Sequence, residues 1–155
     1  MIDLSAEPLS TDLIERYLRT RGRRYFRGRH DGEFFFVLDA GRRLRVHLEI
    51  PPAHPDVFTM RFTPACFFPA AERPRLTKFA GSWNKFNRDI AAVVHGSSDP
   101  QRVGVTGEQT LWIADPVDYV EFAAFADRAT DAAIDLFTGL NVVELPSPTT
   151  LLDAS

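Results

Sequence analysis

A chain of 155 residues that is 45% hydrophobic and 25% charged, with net charge −3, fits one ordinary globular domain. A domain of this length buries roughly 70% of the surface its unfolded chain exposes, so its core needs no staple. A single cysteine, Cys66, excludes an internal disulfide and a zinc site built mainly from thiolates.

No secretory leader pattern is visible, and no run approaches the ~20 apolar residues of a membrane span. A soluble cytoplasmic protein is therefore expected. Thirteen phenylalanines point to an aromatic-rich core, which a sheet face can pack against helices. The charge is uneven. Residues 1–100 carry 16 basic and 12 acidic side chains, and residues 101–155 carry 2 and 9. A basic front and an acidic back suit docking within the chain, self-association or an external partner.

The first helix is expected over residues 11–21. Ser10 is its N-cap, Asp12 sits in its first turn, and Leu9 and Ile14 have staple spacing. Leu13, Ile14, Tyr17 and Leu18 share one face, Glu15 and Arg19 form an i,i+4 pair on the other, and Gly22 terminates. A short strand is expected at 24–28. Asp31-Gly32 signals a hairpin into a strand at 33–39, and Ala40-Gly41 a second turn. The run 42–50 alternates most cleanly. Leu44, Val46, Leu48 and Ile50 point one way, and Arg43, Arg45, His47 and Glu49 the other. This is the pattern of an antiparallel sheet with one wet face. Three prolines break pairing over 51–56. Residues 57–63 alternate again, with Phe58, Met60 and Phe62 inward.

Residues 64–74 read as irregular, with Phe67 and Phe68 as apolar pins. A middle helix lies within 72–90 and places Leu76, Phe79, Ala80, Trp83 and Phe86 on one stripe, ending near Asn87 or Arg88. A strand at 90–95 follows a helix end where Asn84 and Asn87 can cap or bond a neighbouring strand. Short strands are expected at 102–106 and 109–114, reversing at Gly107-Glu108. Asp115-Pro116 signals the start of a last helix that runs to about Phe137. Its stripe is Tyr119, Phe122, Ala126, Ala129, Ala133 and Phe137, and Gly139 ends it. The expected domain is 1–140, with a mobile tail at 141–155.

Convergent chemistry is sparse. The four histidines, His30, His47, His54 and His95, have no helical ligand spacing. His47 and Glu49 resemble a lone H-x-E element without the Pro-Cys-x-x-Cys run that zinc deaminases need. No G-x-S-x-G elbow is present, and Cys66 among Ala65, Phe67 and Phe68 reads as a small buried apolar residue. Gly104-Val105-Thr106-Gly107 lacks the lysine and context of a phosphate loop. No catalytic residue, cofactor or metal is expected. The strongest polar signal is the run 16–29, where seven arginines (Arg16, Arg19, Arg21, Arg23, Arg24, Arg27, Arg29) and no acid surround Tyr25 and Phe26. Arginine and aromatics can hold nucleic acid, but net acidity and the lack of any base-reading device favour solvation or an acidic protein surface.

Residues 79–137 resemble the YbjN family, often labelled sensory-transduction regulators. The resemblance rests on Trp83-Asn84 and Asn87 at a helix end, then a strand pair and a closing helix. It extends over about 120 residues once the early helix and hairpin are included. The family is similar in fold to type III secretion chaperones. The resemblance implies an α+β fold: an antiparallel sheet with helices packed on one face, in α-β-β-β-α-β-β-α-like order. It also implies protein binding, often as a dimer, with no catalytic residues to carry over. The expected function is a non-enzymatic protein-binding, chaperone-like or regulatory module, with an unidentified protein partner and a homodimer as an option. A nucleic-acid accessory role for the 16–29 cluster and a small-ligand-binding domain are the alternatives. The expected partner surface comprises Arg23, Arg24, Arg27, Arg43, Arg45 and His47.

Overall fold

The structure, a computed structural model, describes residues 6–142. Most of the expected tail lies outside the described residues. After a two-residue strand, β1 (Ala6–Glu7), helix α1 spans Thr11–Thr20. Ser10 is extended, and its Oγ accepts the Leu13 N–H at 3.2 Å, satisfying one orphan donor of the first turn. At the other end Gly22 adopts φ 65°, Arg23 N–H reaches Leu18 O and Gly22 N–H reaches Arg19 O. This is a Schellman closure, and it needs a residue that tolerates the left-handed region.

A meander of β2 (Tyr25–Arg27), β3 (Glu33–Asp39), β4 (Arg43–Glu49) and β5 (Val57–Pro64) follows. The chain then forms β6 (Phe68–Pro69), one 3-10 turn (Ala70–Glu72) and α2 (Arg73–Phe86). Strands β7 (Ala91–Gly96) and β8 (Arg102–Trp112), the short β9 (Val117–Asp118) and α3 (Tyr119–Val142) complete it. The main sheet runs β2-β3-β4-β5-β8, with β7 on one edge of β8 and β6 paired to β8 on the other, beyond the end of β5. Every neighbour pair is antiparallel. A separate two-stranded ribbon joins β1 to β9.

The period of two in these strands sorts the side chains. Phe34, Phe36, Leu44, Val46, Leu48, Phe58, Met60 and Phe62 are buried with Tyr17, Phe122, Ala126, Ala133 and Phe137 from the helices. The rings seal against one another: Phe58 lies 4.9 Å from Phe122, which meets Tyr17 edge-on at 6.1 Å. Each buried phenylalanine contributes about 1.5–3 kcal/mol of transfer free energy, so this layer dominates stability. The helices lie on this face of the sheet, as the α+β expectation requires. The other face is open.

Five local expectations are corrected. Residues 102–112 form one continuous strand without a reversal at Gly107-Glu108. Gly107 is small because it lies beneath a helix, not because it turns. A Cβ there would stand 3.1 Å from Ile90 Cγ1 and 3.3 Å from Leu136 Cδ2. The stretch 64–74 is not wholly irregular. The chain advances six residues from Phe62 to Phe68 while β8 advances four, from Gly107 back to Val103. A two-residue bulge therefore lets β6 rejoin the same edge, burying Phe68 and leaving Phe67 41% exposed. Helix α2 ends with Asn87 as its C-cap, as expected, but Phe86 in its last turn is 76% exposed and does not join the buried stripe of Leu76 and Ala80. Helix α3 starts later than Asp115-Pro116 signals. Val117 and Asp118 are held extended by pairing with Glu7 and Ala6, and Asp118 Oδ1 accepts the Val120 N–H at 3.1 Å. Gly139 does not end α3, which runs on to Val142 and so takes in Asn141 and Val142 from the expected tail. A Cβ at Gly139 would lie 3.4 Å from Phe79, so the glycine serves close helix approach.

Candidate functional site

The open face is built by the residues that alternate with the core. From β2 across to β7 it carries Phe26, then Glu33, Phe35 and Val37, then Arg43, Arg45, His47 and Glu49, then Thr59, Arg61 and Thr63, then Thr106 and Glu108, then Val93 and His95. Two shallow depressions of about 280 and 340 Å³ lie side by side on it and share Arg61 and Thr63. The first is lined also by Glu33, Phe35, Arg45 and His47, the second by Val93, His95, Thr106 and Glu108. His47 lies 4.7 Å from the Phe35 ring, and the Arg45 guanidinium covers that ring at 4.7 Å. Arg61 Nε is 3.9 Å from Glu108, whose carboxylate accepts the Thr106 hydroxyl at 2.7 Å. Phe26 and Val37 are exposed beside Phe35, and Trp112 is exposed at the end of β8.

At the end of this face away from the β3–β4 turn two acids oppose each other. Glu33 and Glu49 are register partners on β3 and β4. Like charges placed so are destabilising unless relieved. His47 Nε2 lies 2.9 Å from Glu33, and His30 Nε2 lies 2.8 Å from Glu49. The Arg29 backbone N–H also donates to Glu33 at 2.8 Å, and this bond, followed by the one from His47, holds the Glu33 carboxyl below the usual range.

The six expected partner residues do not share one surface. Arg43, Arg45 and His47 lie on the open face. Arg23 and Arg27 turn to the helix side. Arg23 covers the buried Phe36 ring at 5.0 Å, and Arg27 pairs with Glu15 at 2.9 Å. Arg24 is exposed beside β2. The rest of the arginine cluster also meets the protein's own groups. Arg16 bonds Glu7 and covers Tyr119, Arg19 is 3.9 Å from Glu15, and Arg21 grips Asp127 through Nε at 3.0 Å and Nη2 at 2.7 Å. Glu15, expected on the outer side of α1, is buried among these arginines and accepts the Tyr25 hydroxyl at 2.7 Å. The basic front does dock on the acidic back at Arg21–Asp127. Asp127 is held below the usual carboxylate range, chiefly by Arg21.

Other sequence signals prove architectural in their contacts. Trp83 Nε1 donates to Ile90 O at 3.0 Å. The Asn84 side chain donates to Ala92 O at 2.9 Å and accepts the Ala92 N–H at 2.7 Å, mimicking a strand partner for β7. Asn87 donates to Trp83 O at 2.9 Å. Burial pushes the Cys66 thiol up, the opposite of what a nucleophile needs.

Sequence reasoning missed Arg61, Phe26, Val37 and the reach of His30 to Glu49. Alternation over 57–63 places Arg61 opposite the Phe58, Met60 and Phe62 side. Counting outward from the Asp39–Arg43 pair puts Glu33 across from Glu49.

Compared with solved structures, the chain superposes on one described as "YbjN, a putative transcription regulator from E. coli" with a TM-score of 0.74. The match covers 93% of this chain and 100% of that one at 14% sequence identity. The chain has a YbjN-like fold. No family model matches the sequence, and no curated protein matches it. At this identity the likeness establishes architecture alone. The Trp83, Asn84 and Asn87 contacts give the motif behind the resemblance a structural role, tying α2 to the start of β7. Among the described residues no helix is long and apolar enough to cross a membrane.

Proposed function

We propose that the protein is a non-enzymatic, protein-binding module of chaperone-like or regulatory kind, acting in the cytoplasm through the open face of its sheet. One observation carries this reading. Exposed Phe26 and Val37, with Phe35 between them, stand beside Arg43, Arg45 and Arg61 on a single helix-free surface. Apolar area rimmed by guanidinium groups is the composition of a contact patch, with arginine and aromatics favoured and lysine absent. Its fitting partner is a protein segment with apolar anchors flanked by carboxylates. The arginines would add on-rate and register more than affinity. The likeness to a structure described as a regulator is consistent with this role.

The contact surface proposed here is narrower than the six residues read from sequence. It keeps Arg43, Arg45 and His47, adds Arg61, and holds Arg24 at its margin. Arg23 and Arg27 serve the fold. A homodimer formed through the same face is part of this reading, and light scattering over a range of concentrations checks it. The main test places a photo-crosslinking residue at Val37 in cells, with Val120 on α3 as control. Discrete adducts from position 37 that fade with Arg45→Glu support the proposal. Indistinguishable adduct patterns from both positions overturn it.

A nucleic-acid role draws on the description of the YbjN structure and on the 16–29 arginines. The pairing of Arg16, Arg19, Arg21 and Arg27 with carboxylates weighs against it. Such a binder would lose affinity steeply with added salt. No band shift at low salt would end that reading.

A further inference from the structure

The Glu33–Glu49 pair is unexplained by docking. Two carboxylates face each other across β3 and β4, an arrangement that strand stability alone disfavours. Both are held in place. Glu33 accepts the Arg29 N–H at 2.8 Å on one oxygen and meets His47 at 2.9 Å on the other. Gly28 makes room for it, since a Cβ there would collide with the Glu33 carboxylate. His30 rides on the tight turn before β3. Glu33 N–H bonds His30 O at 3.1 Å, Ile50 N–H bonds Gly32 O at 2.8 Å, and a Cβ on Gly32 would stand 2.9 Å from Ile50 O. Only glycine lets the turn close so tightly against the end of β4.

We propose that His30, Glu33 and Glu49 form a binding site for a divalent transition ion of the zinc type. One ligand atom from each lies within 4.8 Å of the other two. A four-coordinate zinc ion with bonds of about 2.0–2.2 Å sets its ligands about 3.4 Å apart, so small side-chain shifts suffice. The mixed imidazole and carboxylate set selects zinc, cobalt or iron over magnesium and calcium, which take oxygen alone. An ion of charge +2 would remove the repulsion between the acids more fully than two neighbouring imidazoles do. His47, fixed against Phe35, would orient Glu33 from outside the coordination shell. The side chains of His30, Glu33 and Glu49 are 30%, 15% and 24% exposed, so the ion has an entry path and a fourth position open to water. It would sit at the rim of the open face. Such an ion would bind whether or not that face also binds a protein.

The test titrates the whole chain, stripped with chelator, with cobalt chloride and with zinc chloride. One cobalt ion per chain is expected, with the visible absorption of a four-coordinate site, displaced by zinc. His30→Gln and Glu49→Gln should each abolish the absorption. His47→Gln should weaken binding about 10–100-fold. His54→Ala and His95→Ala should leave it unchanged. Because the glutamine variants lie on the solvent side, circular dichroism should find them folded. Zinc-induced NMR shifts of the His30 ring in the unaltered chain give a second reading that needs no variant. Absence of cobalt absorption and of any His30 shift would overturn the site. Binding that survives both glutamine changes would do so equally. Neither measurement involves a protein partner, so failure here is distinguishable from failure of the docking proposal.

Discussion

On β4, Leu44, Val46 and Leu48 are at most 1% exposed, while Arg43 and Arg45 between and before them face water. The same ladder of backbone hydrogen bonds thus supports two chemistries. On the helix side, arginines are consumed by the fold: Arg21 holds Asp127, Arg27 holds Glu15, and Arg16 holds Glu7. On the open side, neither Arg43 nor Arg45 has an ion-pair partner among the described residues, and Arg45 rests on Phe35. Density of arginine along the sequence is therefore a poor guide to where charge is available. The dense 16–29 cluster is largely neutralised in place, whereas Arg43 and Arg45 on β4 are not.

The two faces should respond to truncation on different scales. Phe58→Ala removes a ring packed on Phe122, and a loss of about 3–5 kcal/mol is expected from urea unfolding. Val37→Ala on the open face should cost no more than about 0.5 kcal/mol. Similar losses at both would show that the open face is packed after all. Next in size is Gly107→Val. With Ile90 and Leu136 already at contact distance of a modest Cβ, the larger group should overpack the seam and cost about 1–3 kcal/mol. A neutral outcome would mean that the helix does not press on β8 there.

That glycine marks where local signals mislead. Element order, the β3–β4 hairpin and the inward residues of β4 and β5 were legible because their determinants are local: alternation, a cap, and a turn at Gly41 with φ 74°. Gly107-Glu108 had the same local look as a turn, but its cause is a helix over 25 residues away in sequence. Likewise Asp115-Pro116 has good capping chemistry, which lost to the long-range pairing of β9 with β1. The open face was readable in part. Arg43, Arg45 and His47 follow from alternation, whereas the engagement of Arg23 and Arg27 depends on α1 crossing beside β2. The His30 and Glu49 meeting needs both the hairpin register and the turn, neither of which residue type alone supplies.

Asn84 offers a finer cut at the helix side. Its amide gives β7 the two bonds that a further strand would give at Ala92. Asn84→Ala leaves that edge amide and carbonyl to water, and a loss of about 1–2 kcal/mol is expected. Hydrogen exchange should report it locally, with the Ala92 amide losing protection while Val105 in the middle of β8 keeps its own. Uniform loss across the sheet would indicate general destabilisation and not an edge effect.

The smallest effect concerns the docked charges. Asp127 has its folded pKa depressed, chiefly by Arg21, so the stability it contributes is fully present above the unfolded value of about 3.9. That stability is lost as pH falls through the depressed folded value. The partners' side chains are 35% and 41% exposed, and screening limits the pair to about 1 kcal/mol or less. Unfolding free energies of the parent and of Asp127→Asn should therefore differ by this amount near neutrality. The gap should close as the solution is acidified below pH ~4, where the parent carboxyl takes up its proton. Added salt should shrink the neutral gap. Because asparagine can still accept the Tyr17 hydroxyl, the comparison isolates the charge, and a gap that held constant through acid would leave the front-to-back charge pairing without a role in stability.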